Sequence, residues 1–269
     1  MRFRQLDACR AQREWDRYEG TAQRQHFQEL RVRFLERHRS PEGWAVDVGS
    51  GPGRFLPYLG GRTSRRVALD LSVEMLRHAV RDVRVTFDPV RGDGERPPLA
   101  RASFTQVAVL GNAIGFAGPR AEDLLRQSRE LVAPGGRLTI EVVAGPGEHS
   151  RYLARLPPRA LARLLRAPVR ALLPRIQREG FEPEPARRAD GGDFRRFEPG
   201  ELSRCLEVLG VHVAEVLAVA PLLGARPAQL EPVAEDSVAW AHLLELEEQI
   251  GREAARLRSA AAVLVSGSV

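Results

Sequence analysis

The sequence predicts an α/β fold: a doubly wound, mostly parallel seven-stranded sheet with helices on both faces, an N-terminal helical lid and a basic insertion after the fifth strand. Three observations carry this. From Trp44 to Val143, short apolar runs of strand character alternate with helical stretches, the rhythm of parallel strands joined by crossover helices. The first run, Trp44-Ala45-Val46-Asp47-Val48, ends in the turn Gly49-Ser50-Gly51-Pro52-Gly53, where bare backbone can lie against a ligand. After Val143 the alternation gives way to a Pro- and Arg-rich stretch and then resumes. The implied organisation is a helical lid over residues 1–40, a core over 41–149, an insertion over 150–196 and the remainder of the sheet over 197–269.

The elements follow in order. Residues 1–40 are polar, with helix-favouring stretches such as Phe27–Leu35, and predict one or two helices packed across the cleft. Trp44–Val48 and Val67–Asp70 read as buried parallel strands. Ser72 is positioned to cap a helix over Val73–Val80. The β-branched run Val83–Phe87 predicts the third strand and Phe104–Leu110 the fourth. A helix over Ala121–Val132 then leads through Pro134-Gly135-Gly136 into the fifth strand. In the insertion, prolines 157, 158, 168 and 174 break an amphipathic pattern into short helices. A helix over Glu201–Leu209 stops at Gly210. The strand Val211–Val219, a helix around Val238–Ile250 and the strand Ala260–Val265 complete seven strands.

The turn after the first strand carries most of the chemistry. A dinucleotide fingerprint places its third glycine three residues after the second; that position is Arg54, and the glycine is Gly53 instead. The pattern is thus GxGxG, with Asp47 two residues ahead of it. A carboxylate there suits an ammonium or sulfonium group better than a pyrophosphate. Asp70 ends a second buried strand where a ribose presents its hydroxyls. A bound cofactor containing a nucleoside follows.

On these residues the chain resembles the class I S-adenosylmethionine-dependent methyltransferases, whose first motif is hydrophobic-Asp/Glu-hydrophobic-Gly-x-Gly-x-Gly. Gly92-Asp93-Gly94-Glu95, Leu110-Gly111-Asn112-Ala113-Ile114-Gly115-Phe116 and Leu131–Val142 match later segments of that family. The resemblance covers Trp44 to Val143 well, 197–269 loosely and 150–196 not at all. It implies S-adenosylmethionine as cofactor and S-adenosylhomocysteine as product. Asp47 would orient the donor's ammonium, and Gly49, Ser50, Gly51 and Gly53 would present backbone to its amino-acid moiety. Asp70 would accept the ribose hydroxyls, Leu71 and Met75 would flank the adenine, and Asp93 and Gly94 would meet its edge. Asn112 would stand where the fourth strand opens onto the methyl donor.

The acceptor side is less defined. Asn112 is followed by Ala113, Ile114 and Gly115 rather than by the Pro-Pro-aromatic run of nucleobase amino-methyltransferases. Cys205, on the apolar stripe Leu202, Cys205, Leu206 and Leu209, reads as a structural thiol rather than a nucleophile. Glu141 and Glu148 alone make no metal constellation, so no metal is expected. A small-molecule acceptor is the expectation, with RNA or protein methylation, or a non-catalytic nucleoside sensor, as alternatives. His149 and Tyr152 are the candidate bases, and Tyr18 and Phe116 the candidate substrate contacts.

Bulk properties set outer limits. The chain has 269 residues, is 43% hydrophobic and carries a formal charge of +6. All 41 basic residues are arginines; coding bias and phosphate recognition are both open readings. Between Arg151 and Arg196 stand twelve arginines and five acids. Such a surface fits a solvated lid, an anionic membrane or an RNA backbone. No eighteen-residue apolar run exists, the N-terminus lacks a signal-like stretch, and two distant cysteines suggest no disulfide. The expected location is cytoplasmic; the oligomeric state is not legible.

Overall fold

A computed structural model describes residues 8–16, 20–144, 147–183, 195–197, 200–223, 227–253 and 262–269. Its strands are β1 (Trp44–Val48), β2 (Arg65–Asp70), β3 (Asp88–Arg91), β4 (Phe104–Val109), β5 (Val132–Val143), β6 (Glu148–Ser150), β7 (Phe181–Pro183), β8 (His212–Ala218) and β9 (Ala262–Ser268). Seven of them form one sheet in the order β3-β2-β1-β4-β5-β9-β8, and β6 pairs separately with β7. β9 alone runs opposite to the other six strands of this sheet. The order reverses between β1 and β4, and ligands in open α/β sheets bind above such a reversal, beyond the carboxyl ends of the strands.

The helices are α1 (Ala8–Asp16), α2 (Ala22–Arg37), α3 (Val73–Asp82), α4 (Ala113–Phe116), α5 (Ala121–Leu131), α6 (Arg151–Ala154), α7 (Pro158–Leu165), α8 (Val169–Glu179), α9 (Glu201–Val208), α10 (Pro227–Ala234) and α11 (Ser237–Gly251). Ser72 caps α3 as expected, its hydroxyl accepting from the Met75 amide at 3.3 Å. The strands alternate strictly. Val46, Val48, Val107, Val109, Leu138 and Ile140 enter one core beneath α5 and α9, while Ala45 and Ala108 face Leu30, Phe34 and Leu244 of α2 and α11.

The third strand departs from expectation: it is Asp88–Arg91, not Val83–Phe87. Val83 instead caps α3 and packs with Leu56, Ala68, Leu76 and Ala79, joined by Val85 and Phe87. Its apolar run is consumed by helix-to-sheet packing. The strand that follows lies at the sheet edge, where Pro89 is tolerated because one side of the ladder needs no donor. In the insertion, Pro157 and Pro168 precede α7 and α8 as expected, but Pro174 lies inside α8. Pro174 is exposed, so the carbonyl it frees can bond to water. The apolar faces of α6–α8 form a second core with α10 and α11, in which Leu161, Leu165, Leu172 and Ile176 meet Leu230, Leu243 and Leu246.

Helix α2 runs opposite to β5. Near its end His38 meets Arg137 at the start of the regular part of β5, while Arg31 meets Glu141 near the strand's carboxyl end. Its first turns therefore project over the ligand edge of the sheet. There His26 and Glu247 of α11, both fully buried, approach to 3.4 Å. Burial pushes the imidazole down to about 3 and the carboxyl up to about 8, against the lowering influence of the Leu222 and Leu223 amides. Both groups are thus neutral at pH 7, and the contact is not an ion pair.

The linkage has opposite signs for the two. The Glu247 contribution to stability is complete below about 4.5 and lost as pH rises through about 8; that of His26 is complete above about 6.5 and lost as pH falls through about 3. Glu247→Gln keeps a carbonyl for the Leu222 amide without an ionisable proton. We predict that its melting temperature falls less than the parent's between neutral and mildly alkaline pH; parallel curves from calorimetric scans would refute this.

Candidate functional site

The site begins with the loop after β1. Gly49, Gly51 and Gly53 have φ of +72°, +53° and +78°, so alternate residues sit in the left-handed region where a side chain is costly. The amides of Gly49 and Ser50 both donate to the Leu69 carbonyl, at 2.8 and 3.0 Å, which ties the turn to β2. The glycines then differ in role. A Cβ on Gly53 would lie 2.9 Å from Ala79 and Leu56, so this position lets α3 pack closely. A Cβ on Gly51 would meet nothing within 4 Å. That open side of the turn leaves its backbone available to a ligand.

Asp70 is held by the same turn. Its carboxylate accepts from the Gly51 amide and the Ser72 amide, both at 2.8 Å. Burial raises its pKa, and these two hydrogen bonds oppose the rise. Asp47, one strand away, is 1% exposed, and among the described residues neither carboxylate oxygen has a hydrogen-bond partner. Burial, and secondarily the nearby Asp70, push Asp47 up to about 7. A buried acid without a donor is costly unless a cation completes it. The buried Ser50 hydroxyl beside it is also unpartnered. An orphaned carboxylate next to a bare glycine turn fits the amino-acid end of S-adenosylmethionine.

The other expected residues fall around this centre. Leu71 is 48% exposed immediately after Asp70, whereas Met75 is buried in the first turn of α3. Asp93 is half-buried and accepts from the Glu95 amide at 3.0 Å. Gly94 is close-packed, since a Cβ there would come within 2.9 Å of Leu124 and Val48. Asn112 follows β4 at φ +66°, and its side-chain oxygen accepts from the Val143 amide at 3.0 Å. Its side chain thereby joins the ends of β4 and β5. Phe116 is exposed at the end of α4. Tyr18 lies outside the described residues.

His149 and Tyr152 belong to the insertion's packing. His149 is buried in β6, its Nε2 3.1 Å from Glu182 of β7. Tyr152 is buried in the second core with the Arg175 guanidinium 4.0 Å above its ring.

A further pair escaped the sequence reading. Arg31 Nε and Nη2 donate to the same Glu141 oxygen at 2.8 and 2.5 Å, and the other Glu141 oxygen accepts from the Gly111 amide at 3.1 Å. Both side chains are nearly buried. They lock α2 to β5 and to the loop after β4. The signal was present in Leu138-Thr139-Ile140-Glu141-Val142: an acid inside a buried strand demands a partner. Its identity depended on which helix covers that face.

Two outcomes follow. Arg31→Met strands the Glu141 charge and should cost about 3–5 kcal/mol in chemical denaturation, whereas a cost under about 1 kcal/mol would mean the pair is solvated. For Asp47, a cationic ligand requires the ionised acid. S-Adenosylhomocysteine affinity should therefore weaken as pH falls below about 7, and binding near pH 6 should release a proton. Asp47→Asn should flatten the pH dependence and weaken binding by about 1.5–3 kcal/mol; titration calorimetry in buffers of different ionisation enthalpy reads both.

Comparison with known proteins bears on the fold. Residues 45–136 match the family model described as Methyltransferase domain. The biotin biosynthesis bifunctional protein BioHC of Cellvibrio japonicus (strain Ueda107) is 32% identical over 106 residues, 38% of this chain and 20% of that protein. The chain thus matches about one fifth of that relative's length. Among solved structures, the methyltransferase bound to the Trm112 activator of Haloferax volcanii aligns at 20% identity with a TM-score of 0.56, over 97% of this chain and 93% of that one. An S-adenosylmethionine-dependent methyltransferase of Mesorhizobium loti aligns at 18% identity with a TM-score of 0.54, over 90% and 98%. Residues 45–136 thus match a methyltransferase domain, and the sheet order is that of the fold shared with these S-adenosylmethionine-dependent methyltransferase structures.

Proposed function

We propose that this protein binds S-adenosylmethionine above β1, β2 and β4 and transfers its methyl group by direct in-line displacement to a small-molecule acceptor. The observation that carries the reading is Asp47, a buried carboxylate with both oxygens unpartnered beside an open glycine turn. The cofactor supplies a methyl group already activated by its sulfonium. Asp47 holds the ammonium, the Gly49–Gly51 backbone lines the amino-acid moiety, and Asp70 accepts the ribose hydroxyls. Leu71 and Met75 flank the adenine, with Asp93 and Gly94 at its edge. In this reading residues 1–40 and 150–196 cover the core built from 41–149 and 197–269. Phe116, exposed at the end of α4, stands on the acceptor side.

What remains for the protein is to place a nucleophile in line and exclude water, which contributes about 7–11 kcal/mol in favourable cases without a conventional catalytic residue. The engagement of His149 by Glu182 and the burial of Tyr152 beneath Arg175 favour that economy over a general base. A small acceptor is supported by the sequence after Asn112, which lacks the nucleobase-gripping motif.

Titration with S-adenosylhomocysteine, with NAD as control, tests the reading: binding of the first and none of the second is expected. Asp70→Ala should weaken that binding by about 2 kcal/mol, and Asp70→Asn, which keeps one acceptor for the turn, by less. Unchanged affinity in a folded Asp70→Ala protein would remove the ribose from this position.

A further inference from the structure

The positive charge of this protein is concentrated in one place that the proposed methyl transfer does not use. Residues 151–183 contain eight arginines and two glutamates, a formal excess of six positive charges, against +6 for the whole chain. All eight arginines are exposed. Among the described residues only Arg166 and Arg175 form ion pairs, with Asp236 and Glu179; Arg151, Arg155, Arg159, Arg163, Arg170 and Arg178 have no acidic partner. On α7, Arg159, Arg163 and Arg166 recur at i, i+4 and i+7, opposite the buried Leu161 and Leu165. The helices are therefore amphipathic, with their apolar side already spent on the second core. Six exposed guanidinium groups without acidic partners within 33 residues repel one another, a repulsion that an anionic partner would relieve.

We propose that the outward face of α6–α8 docks the protein on an anionic phospholipid surface. Charge complementarity selects an anionic partner, and the residues between the arginines favour lipid headgroups over nucleic acid. Leu156, Leu164 and Leu173 are half-buried among the arginines, an arrangement that suits long cationic stems at an interface. No exposed aromatic side chain lies within the described part of the insertion to stack a base: Tyr152 is buried and Phe181 half-buried. With no large apolar group projecting, the attachment is electrostatic and reversible by salt.

Co-sedimentation of the full chain with vesicles tests this. Vesicles of phosphatidylcholine with phosphatidylserine should bind the protein at low salt, and phosphatidylcholine alone should not. Binding should weaken steeply as the screening length shortens to about 8 Å at physiological salt. Each arginine contributes about fivefold, so Arg159→Gln/Arg163→Gln/Arg170→Gln should lower vesicle affinity by on the order of a hundredfold. Its S-adenosylhomocysteine affinity and melting temperature should be unchanged, which separates a lost surface from a lost fold. Equal binding to both vesicle types, or an unaltered triple variant, would overturn the proposal. So would a preference for duplex RNA over serine-containing vesicles at matched salt, which would make the face a phosphate-backbone reader.

Discussion

A carboxylate buried without a hydrogen-bond donor sets the terms for the cleft of this protein. Asp47 sits in the middle of the sheet, 1% exposed, with Asp70 raising its pKa further. Among the described residues no donor relieves it. The neighbouring main-chain donors are committed elsewhere: the Gly49 and Ser50 amides to Leu69, and the Gly51 amide to Asp70. An apolar residue at this position would make a more stable empty fold, by the general behaviour of buried charges. Keeping an acid there costs stability in the empty fold, the kind of cost that a binding site carries and that the proposed ammonium contact would offset.

The rest of the architecture holds that arrangement in place. The glycine turn is fastened to β2, β2 to α3 through the Ser72 cap, and the loop after β4 to β5 through Asn112 and Glu141. Arg31 extends the last of these links into α2, so the helix that covers one face of the sheet is tied to the same loop that borders the cleft. Hydrogen bonds between buried charged groups are stronger and more directional than neutral ones, and this one joins elements 110 residues apart in sequence. The same helix carries His26 against Glu247, a contact in which desolvation outweighs charge and leaves two neutral groups face to face.

Two of the four apolar clusters among the described residues bear most on the chemistry. The main one, beneath α5 and α9, is the ordinary core of a parallel sheet. The second belongs to α6–α8, α10 and α11, joined by Ala22 of α2. Because the insertion buries its leucines there, its arginines face outward as a group. Its sequence mixes apolar and basic residues at helical spacing; only packing decides that the basic half is the free one.

Local chemistry was enough to read most of the sheet and the glycine turn. Val46 to Gly53 encodes a buried strand, a left-handed turn and an acid through residue types whose conformational preferences hold in any context. The same is true of Asp70 at the end of β2 and of Ser72 as a cap. Where two elements compete for one apolar run, sequence is ambiguous: Val83–Phe87 has strand composition, yet α3 claims it and the ladder passes to Asp88–Arg91. Pro174 likewise stays within α8, because an exposed helix face can give up a backbone hydrogen bond to water. The pairing of Arg31 with Glu141, the engagement of Asn112 by Val143 and the burial of His149 in a two-stranded sheet all depend on residues distant in the chain. Sequence alone determined which residues need partners; the tertiary structure decided which partners they receive, because burial and long-range packing assign each polar group its donor or leave it, as at Asp47, without one.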